Sequence, residues 1–180
     1  GDHEMLSRIC EQSCHGDALG RALDRYFLRQ AAPEAVRARI RHTAATLVAH
    51  CLRQPRETYR IANVGSGPAL DVFEALAALP PGSRSSARVR LLDLDPNALE
   101  AARTRLESVV PQSSVETVRT NLFRLAQGSR GARELQTPDF LVCAGLFDYL
   151  DDEPAVSLLG LFWRQLAEGG VLLVGNFAPH

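Results

Sequence analysis

The fold of this chain follows from one segment, Ile61-Ala-Asn-Val-Gly65-Ser-Gly67-Pro-Ala69-Leu-Asp71. Apolar residues lead into a Gly-x-Gly turn and a helical apolar pattern follows it, which is typical of a β-strand, a tight turn and an α-helix. The glycines let the backbone approach a ligand closely, and the start of the helix offers unpaired N–H groups to an anion. A dinucleotide-binding turn would carry a third glycine where Leu70 stands, which disfavours a pyrophosphate on this helix.

The strand, turn and helix pattern repeats along the chain from Tyr59 onward. Strands are predicted over residues 59–64, 88–93, 115–119, 139–144 and 171–176, and helices over residues 69–79, 96–110 and 153–166. Residues 80–83 are expected to break the first of these helices, and residues 127–136 to form a flexible crossing. Strands that alternate with helices indicate an α/β fold, a Rossmann-like doubly wound parallel sheet in the order 3-2-1-4-5.

Residues 1–57 differ in character, and we predict that they form an N-terminal helical cap on a core that spans residues 58–180. Apolar residues recur at helical spacing over residues 18–27 and again over residues 36–52, which predicts two amphipathic helices. Gln54-Pro55 is expected to end the second helix.

The composition is that of a globular protein with one core. The chain has 180 residues, 46% of them hydrophobic and 23% charged, and its net charge is -1. This balance gives no case for nucleic-acid binding, and the longest apolar run, residues 170–177, falls short of the roughly 18 residues of a membrane span. No signal-peptide pattern follows the charged first residues, so we expect a cytoplasmic location. All 20 basic residues are Arg, which excludes chemistry that depends on Lys.

Metal binding is not predicted. Cys10-x-x-x-Cys14-His15 contains zinc-type ligands, but no second pair follows at the spacing of a structural site. The four cysteines are also too few and too scattered for a disulfide framework in a chain of this size.

The second predicted strand ends in Leu91-Leu-Asp93-Leu-Asp95-Pro96. A carboxylate at the end of this strand lies beside the glycine turn, where it can accept hydrogen bonds from two ribose hydroxyls. We assign that role to Asp93. Asp95 precedes Pro96 and is expected to cap the next helix.

Together these motifs resemble those of the class I S-adenosylmethionine-dependent methyltransferases. Residues 65–69 resemble the first motif of that family, residues 92–99 its second, and residues 139–152 its fourth. The chain departs from the family pattern at Asn63 and Asn121, where an acidic residue is usual, and at Ala69, where a third glycine is usual.

The resemblance implies S-adenosylmethionine as the cofactor, with its ribose on Asp93. Asn121 and Leu122 match the positions that meet the adenine, and the Asn121 amide oxygen can accept a hydrogen bond from the exocyclic amine. The residues that the resemblance places at the methionine part are Gly65, Ser66 and Gly67. The other cofactor-binding residues that it implies are Asp71, Leu94, Ala144 and Gly145.

A narrower resemblance concerns residues 144–152, residues 175–177 and the N-terminal helices, which are similar to bacterial proteins assigned to the formation of 3-hydroxypalmitic acid methyl ester. It implies O-methylation of a small or fatty carboxylic acid. A carboxylate is ionised at neutral pH and needs no strong general base, so catalysis would consist mostly of alignment. The residues expected to orient the acceptor are Asp148, Tyr149 and His15.

Other functions and partners stay open at this point. An NAD(P)-dependent reductase on a similar fold and a non-catalytic S-adenosylmethionine-binding sensor are the two alternatives. Six Arg residues between positions 33 and 60 predict either a solvated helix face or a docking surface for an acidic carrier protein or coenzyme A. Charge reversal at Arg37 and Arg41 would weaken carrier binding if the docking surface exists. Tyr26 and Phe27 are expected either to shape an acyl pocket or to pack in the core.

The number of strands is smaller than the family resemblance implies. A full fold of this family has seven strands, the last two forming a reversed hairpin, and five are visible in this sequence. We therefore expect the natural protein to continue beyond His180.

Overall fold

The computed structural model describes residues 2–121 and 130–177 of the chain. Within these ranges no helix has both the length and the apolar content that crossing a membrane requires. In chain order the elements are α1 (Asp2–Glu11), α2 (Ala18–Leu28), α3 (Ala31–Arg53), β1 (Tyr59–Val64), α4 (Leu70–Ala78), α5 (Pro81–Ser86), β2 (Ala87–Asp93), α6 (Pro96–Glu107), a 3-10 turn (Gln112–Ser114), β3 (Val115–Arg119), α7 (Arg130–Leu135), β4 (Phe140–Ala144), a second 3-10 turn (Phe147–Tyr149), α8 (Asp152–Gln165) and β5 (Val171–Gly175).

The five strands form one parallel sheet in the order β3-β2-β1-β4-β5, which confirms the predicted fold class and strand order. The central strand is β1, in which Ile61 pairs with Val89 of β2 on one side and with Phe140 of β4 on the other. The strand order reverses at β1. A crevice for a ligand is therefore expected at the carboxyl ends of β1 and its neighbours.

Helices cover both faces of the sheet. Tyr59 and Ile61 of β1 lie in the apolar cluster that includes residues of α3, α4 and α6. Ala62 and Val64 lie in a second cluster, on the other face, with residues of α8. Successive side chains of a strand point to opposite faces, so burial on both faces requires the continuous apolar pattern that the sequence shows here.

The N-terminal helices pack on the first half of α3. The buried side chains of this third apolar cluster are Ile9, Leu28, Val36 and Ile40. The second half of α3 instead packs in the cluster of the sheet, through Leu47 and Cys51. One helix thus belongs to both the predicted cap and the predicted core.

His50 joins α3 to the sheet by two hydrogen bonds. Its Nε2 lies 2.9 Å from the carbonyl oxygen of Gly169, and its Nδ1 is paired with the Tyr59 hydroxyl. A carbonyl only accepts, so Nε2 carries the hydrogen and Nδ1 accepts from Tyr59. Burial raises the pKa of Tyr59, which keeps this hydroxyl a donor.

Three helices differ from the sequence-based expectations. α1 was not predicted, and tertiary packing of Ile9 stabilises it. α5 begins with Pro81 in its first turn, so the proline pair both ends α4 and starts a new helix. α7 lies within the segment expected to be a flexible crossing. Tyr26 and Phe27 are 69% and 42% exposed, so the expected core packing is wrong for them, and neither residue lines a cavity in the described structure.

Arg37 corrects the idea of a basic docking surface at this position. Its side chain is buried, and its Nη2 and Nη1 donate to the carbonyls of Leu28 (2.8 Å) and Ile9 (3.3 Å). Both carbonyls lie near helix ends, where the helix itself supplies no donor. Glu34 accepts from both Arg37 and the exposed Arg41. Arg37 therefore holds α1, α2 and α3 together and is not available to a partner.

Replacing Arg37 with Met tests this role. Arg37→Met keeps most of the apolar stem but leaves two carbonyls without their donor, so we expect the free energy of unfolding to fall by about 2 kcal/mol or more. Urea denaturation followed by circular dichroism measures the change. Arg41→Met is the matched control and should leave stability nearly unchanged, because an exposed ion pair contributes little. Equal effects of the two substitutions would contradict the assignment.

Candidate functional site

A cavity of about 500 Å³ lies at the carboxyl ends of β1, β2 and β4, where the strand order predicts a ligand. This volume is within the range of small-molecule sites. The lining residues are His3, Met5, Leu6, Val36, Arg39, Gly65, Gly67, Asp93, Leu94, Asp95, Ala98, Asn121, Ala144, Gly145, Leu146, Asp148, Tyr149 and Phe177.

The turn after β1 folds over the end of β2. The N–H groups of Gly65 and Ser66 donate to the carbonyl of Leu92 at 2.8 and 3.2 Å. The N–H of Gly67 donates to Oδ2 of Asp93 at 2.8 Å. Gly67 has a φ of +49° and Gly65 a φ of +65°, a region that glycine adopts without a steric penalty. The turn therefore brings bare backbone to the cavity beside a carboxylate.

Asp93 is held in place but retains hydrogen-bonding capacity. Its Oδ2 accepts from Gly67, and its Oδ1 accepts from the N–H of Asp95 at 3.0 Å. An ionised carboxylate has about four acceptor positions, so each oxygen can accept a further bond. A pair of ribose hydroxyls suits this geometry, and the site fits a nucleoside at this point.

Asp95 has the predicted role of helix cap. Its Oδ1 accepts from the N–H of Asn97 at 2.9 Å at the start of α6, and this bond lowers the pKa of Asp95. Its Oδ2 also lies 3.3 Å from Nδ1 of His3. Through that contact α1 reaches the rim of the cavity.

Two residues assigned to the cofactor, Ser66 and Asp71, are buried and do not line the cavity. Oδ1 of Asp71 accepts from the Asn63 side-chain amide at 3.2 Å and from the N–H of Val72 at 2.8 Å. Burial raises the pKa of Asp71. The resemblance to methyltransferase motifs leads us to expect an acid at the position of Asn63, and here the neighbouring carboxylate, Asp71, comes from α4 instead. The assignment of both residues to cofactor binding stays a prediction.

All but one of the other residues assigned to the cofactor line the cavity. They are Gly65, Gly67, Asp93, Leu94, Asn121, Ala144 and Gly145. Leu122 lies outside the described residues.

The three residues expected to orient an acceptor do not lie together. Asp148 and Tyr149 line the cavity, and Oδ1 of Asp148 accepts from the N–H of Phe177 at 3.2 Å. His15 does not line the cavity. Its ring Nε2 lies 3.0 Å from the hydroxyl of Ser13, and its backbone N–H donates to the Asp24 carboxylate. The role of His15 at the acceptor stays a prediction. In the described part of the chain, no three His, Cys, Asp or Glu side chains are grouped so that they could hold a metal ion.

Sequence reasoning missed the part of the cavity that the N-terminal helices build. His3, Met5 and Leu6 of α1 and Arg39 of α3 line it. A Cβ added to Gly67 would lie 3.6 Å from Cδ1 of Leu6, so α1 lies directly over the glycine turn. No motif marks these residues, and a helix of only ten residues is a weak signal in a sequence.

Among known proteins, the matches to this chain are solved structures. No protein-family model matches the chain. No curated protein matches it either.

Solved structures do match. A protein of Bordetella parapertussis, described as a possible exported protein, is 25% identical with a TM-score of 0.75 over 96% of this chain and 53% of its own. CalS10 of Micromonospora echinaspora, an amino pentose methyltransferase solved with S-adenosylmethionine bound, is 23% identical with a TM-score of 0.55 over 83% and 57%. An O-methyltransferase family protein of Burkholderia thailandensis is 16% identical with a TM-score of 0.53 over 96% and 51%.

The chain has the Rossmann-like fold of S-adenosylmethionine-dependent methyltransferases. It spans about half the length of the solved structures that it matches.

The glycine turn also generates a prediction about Ala69, which has a φ of +48° and is buried. An L-residue in this conformation costs about 1–2 kcal/mol. Glycine would relieve this strain but would lose about 0.8 kcal/mol of methyl burial and about 0.5–1 kcal/mol of backbone entropy. We therefore expect Ala69→Gly to change the free energy of unfolding by less than about 0.5 kcal/mol.

Ala75→Gly is the matched control, because Ala75 is buried in α4, the helix that Ala69 precedes, and has ordinary helical geometry. It has no strain to relieve, so the same two losses should add to about 1.3–1.8 kcal/mol. Urea titration of both variants measures the difference. Equal destabilisation would show that the Ala69 conformation carries no strain.

Proposed function

We propose that this protein is an S-adenosylmethionine-dependent methyltransferase that methylates an oxygen of a carboxylic acid with an apolar chain. The observation that carries the proposal is the pairing of the Gly67 N–H with the Asp93 carboxylate at the edge of the cavity. In this pairing a carboxylate, which can accept hydrogen bonds from ribose hydroxyls, lies beside a turn of bare backbone, at the edge of the sheet where doubly wound folds bind their ligands.

Several residues would hold the cofactor. Asp93 accepts hydrogen bonds from the ribose hydroxyls, and the amide oxygen of Asn121 accepts one from the adenine amine. Gly65 and Gly67 bring backbone without a side chain to the cavity, which lets the methionine part approach it closely. When bound, S-adenosylmethionine supplies a methyl group on a sulfonium sulfur, which leaves as a neutral thioether when an acceptor oxygen takes the methyl carbon.

The cavity supports an apolar acceptor chain. Met5, Leu94, Tyr149 and Phe177 line it and are 53%, 56%, 74% and 50% exposed. Large apolar side chains that are exposed together around a cavity indicate an apolar ligand. Leu6 and Val36 extend the same surface inward.

A carboxylate acceptor matches the polar groups at this surface. It carries its negative charge at neutral pH, so no residue has to remove a proton from it. The Asp148 carboxylate is a hydrogen-bond acceptor and would suit a hydroxyl on the chain, such as that of a 3-hydroxy acid. The task of the protein is then to align the acid, and alignment is a recognised source of rate enhancement.

Cofactor binding is tested first, by isothermal titration calorimetry with S-adenosylhomocysteine and with NADPH. We expect S-adenosylhomocysteine to bind and NADPH not to bind. Asp93→Asn should weaken S-adenosylhomocysteine binding roughly 10-fold or more, because hydrogen bonds to a charged acceptor are lost. Asp152→Asn, at an exposed position of α8, is the control and should leave the affinity unchanged. Binding of NADPH alone would replace this proposal with the reductase alternative.

The acceptor is tested by mass spectrometry of products from 3-hydroxydecanoate, decanoate and 3-hydroxydecanoyl-coenzyme A. We expect methyl ester from the free acids, with the 3-hydroxy acid preferred, and none from the thioester, because its acyl group has no free carboxylate. Tyr149→Ala should raise KM for the acids more than it changes S-adenosylhomocysteine affinity. Cofactor binding without any ester would favour the sensor alternative. An acyl group on a carrier protein is also a thioester, so delivery by a carrier protein stays a prediction that requires release of the acid before methylation.

A further inference from the structure

Arg39 differs from the other Arg residues in the middle of α3. Arg37 and Arg41 both pair with Glu34. Arg39 makes no hydrogen bond or ion pair with any described residue, and its Nε is buried without a partner. A guanidinium has five N–H donors, and leaving a buried donor unsatisfied costs free energy. Such a side chain is suited to receiving an anion that the protein itself does not provide.

The sheet is shaped to let Arg39 reach the cavity. Its Nη1 lies 3.0 Å from the position that a Cβ would occupy on Gly145, just after β4. Its Cδ lies 2.9 Å from the corresponding position on Gly175, at the end of β5. Any larger residue at Gly175 would therefore collide with the stem of Arg39. Two glycines at adjacent strand ends thus leave a channel along which the guanidinium extends.

The charges around Arg39 define the ligand it can take. Among the described residues that line the cavity, Arg39 is the only Arg, and the three acids there are Asp93, Asp95 and Asp148. Asp93 and Asp95 are engaged by backbone N–H groups, and Asp148 accepts from the N–H of Phe177. None of them lies within ion-pair distance of Arg39 in the described structure. Asp71, which is buried outside the cavity, is a fourth acid near Arg39: burial raises the pKa of Asp71 and the charge of Arg39 lowers it, but the two side chains form no ion pair. The planar guanidinium matches a carboxylate, which it can bind through two parallel hydrogen bonds.

We propose that Arg39 is a carboxylate-binding residue of this cavity. The inference rests on the proposed function for the source of the carboxylate, which is either the amino-acid end of the cofactor or the acid that accepts the methyl group. Both carry the same chemistry. The position of the guanidinium beside Gly145 places it at the same end of β4 as the cofactor and acceptor residues.

The experiment compares ligands that have or lack a carboxylate. Calorimetry measures the affinities of S-adenosylhomocysteine, 5′-methylthioadenosine, 3-hydroxydecanoate and methyl 3-hydroxydecanoate. The variants are Arg39→Met, which keeps the apolar stem across Gly175, and Arg39→Lys, which keeps the charge. Arg41→Met, on the same helix and outside the cavity, is the control. Thermal unfolding of each variant verifies that it is folded.

We expect Arg39→Met to lose roughly 10- to 100-fold in affinity for one carboxylate ligand, with Arg39→Lys intermediate. If the cofactor is the source, S-adenosylhomocysteine weakens and 5′-methylthioadenosine does not. If the acceptor is the source, 3-hydroxydecanoate weakens while its methyl ester and S-adenosylhomocysteine do not.

Two results would overturn the assignment. One is affinities within about twofold of wild type for all four ligands. The other is an equal loss for ligands with and without a carboxylate, which would make Arg39 a purely structural residue. If the wild-type chain binds neither adenosine compound, the proposed function fails, and the comparison of 3-hydroxydecanoate with its ester still tests Arg39.

Discussion

The hydrogen bond from the Gly67 N–H to the Asp93 carboxylate joins the two elements on which the site depends. It connects the turn after β1 to the end of β2. The two strands pair along the whole length of β1. Because parallel strands end at the same edge of a sheet, a single bond there can orient both a bare backbone and a carboxylate toward one cavity. The remaining oxygen lone pairs of Asp93 are then directed by the protein before any ligand arrives, which lowers the cost of ordering the site on binding.

The N-terminal helices complete what the sheet begins. α3 packs in the apolar cluster of the sheet and also carries Arg39 to the ends of β4 and β5. α1 lies over the glycine turn and contacts the cap of α6 through His3 and Asp95. Arg37 holds α1 and α2 against α3 by binding the carbonyls at their ends. A single helix thus transmits the packing of the core to the wall of the cavity.

Much of the fold was predictable because its signals are local. The Gly65–Gly67 turn, the acid at the end of β2 and the alternation of apolar strands with helices each depend on a few neighbouring residues. Asp95 likewise caps α6 next to Pro96, as predicted from adjacent positions alone. Predictions were weaker where tertiary contacts stabilise the element. α1 is one example, since its helix depends on the packing of Ile9 against α2 and α3.

The same distinction between local signals and tertiary contacts applies to the site residues. Asp93, Asn121 and Gly145 lie at strand ends, so the order of strands brings them to one edge, and the sequence determined that much by itself. Arg37 and Arg39 are two residues apart on one helix and look alike in the sequence. Their different roles appear in the folded structure, where Arg37 is a buried link between helices and Arg39 is a cation in the cavity. Residues two apart point in different directions from a helix, and the groups that they contact come from distant parts of the chain.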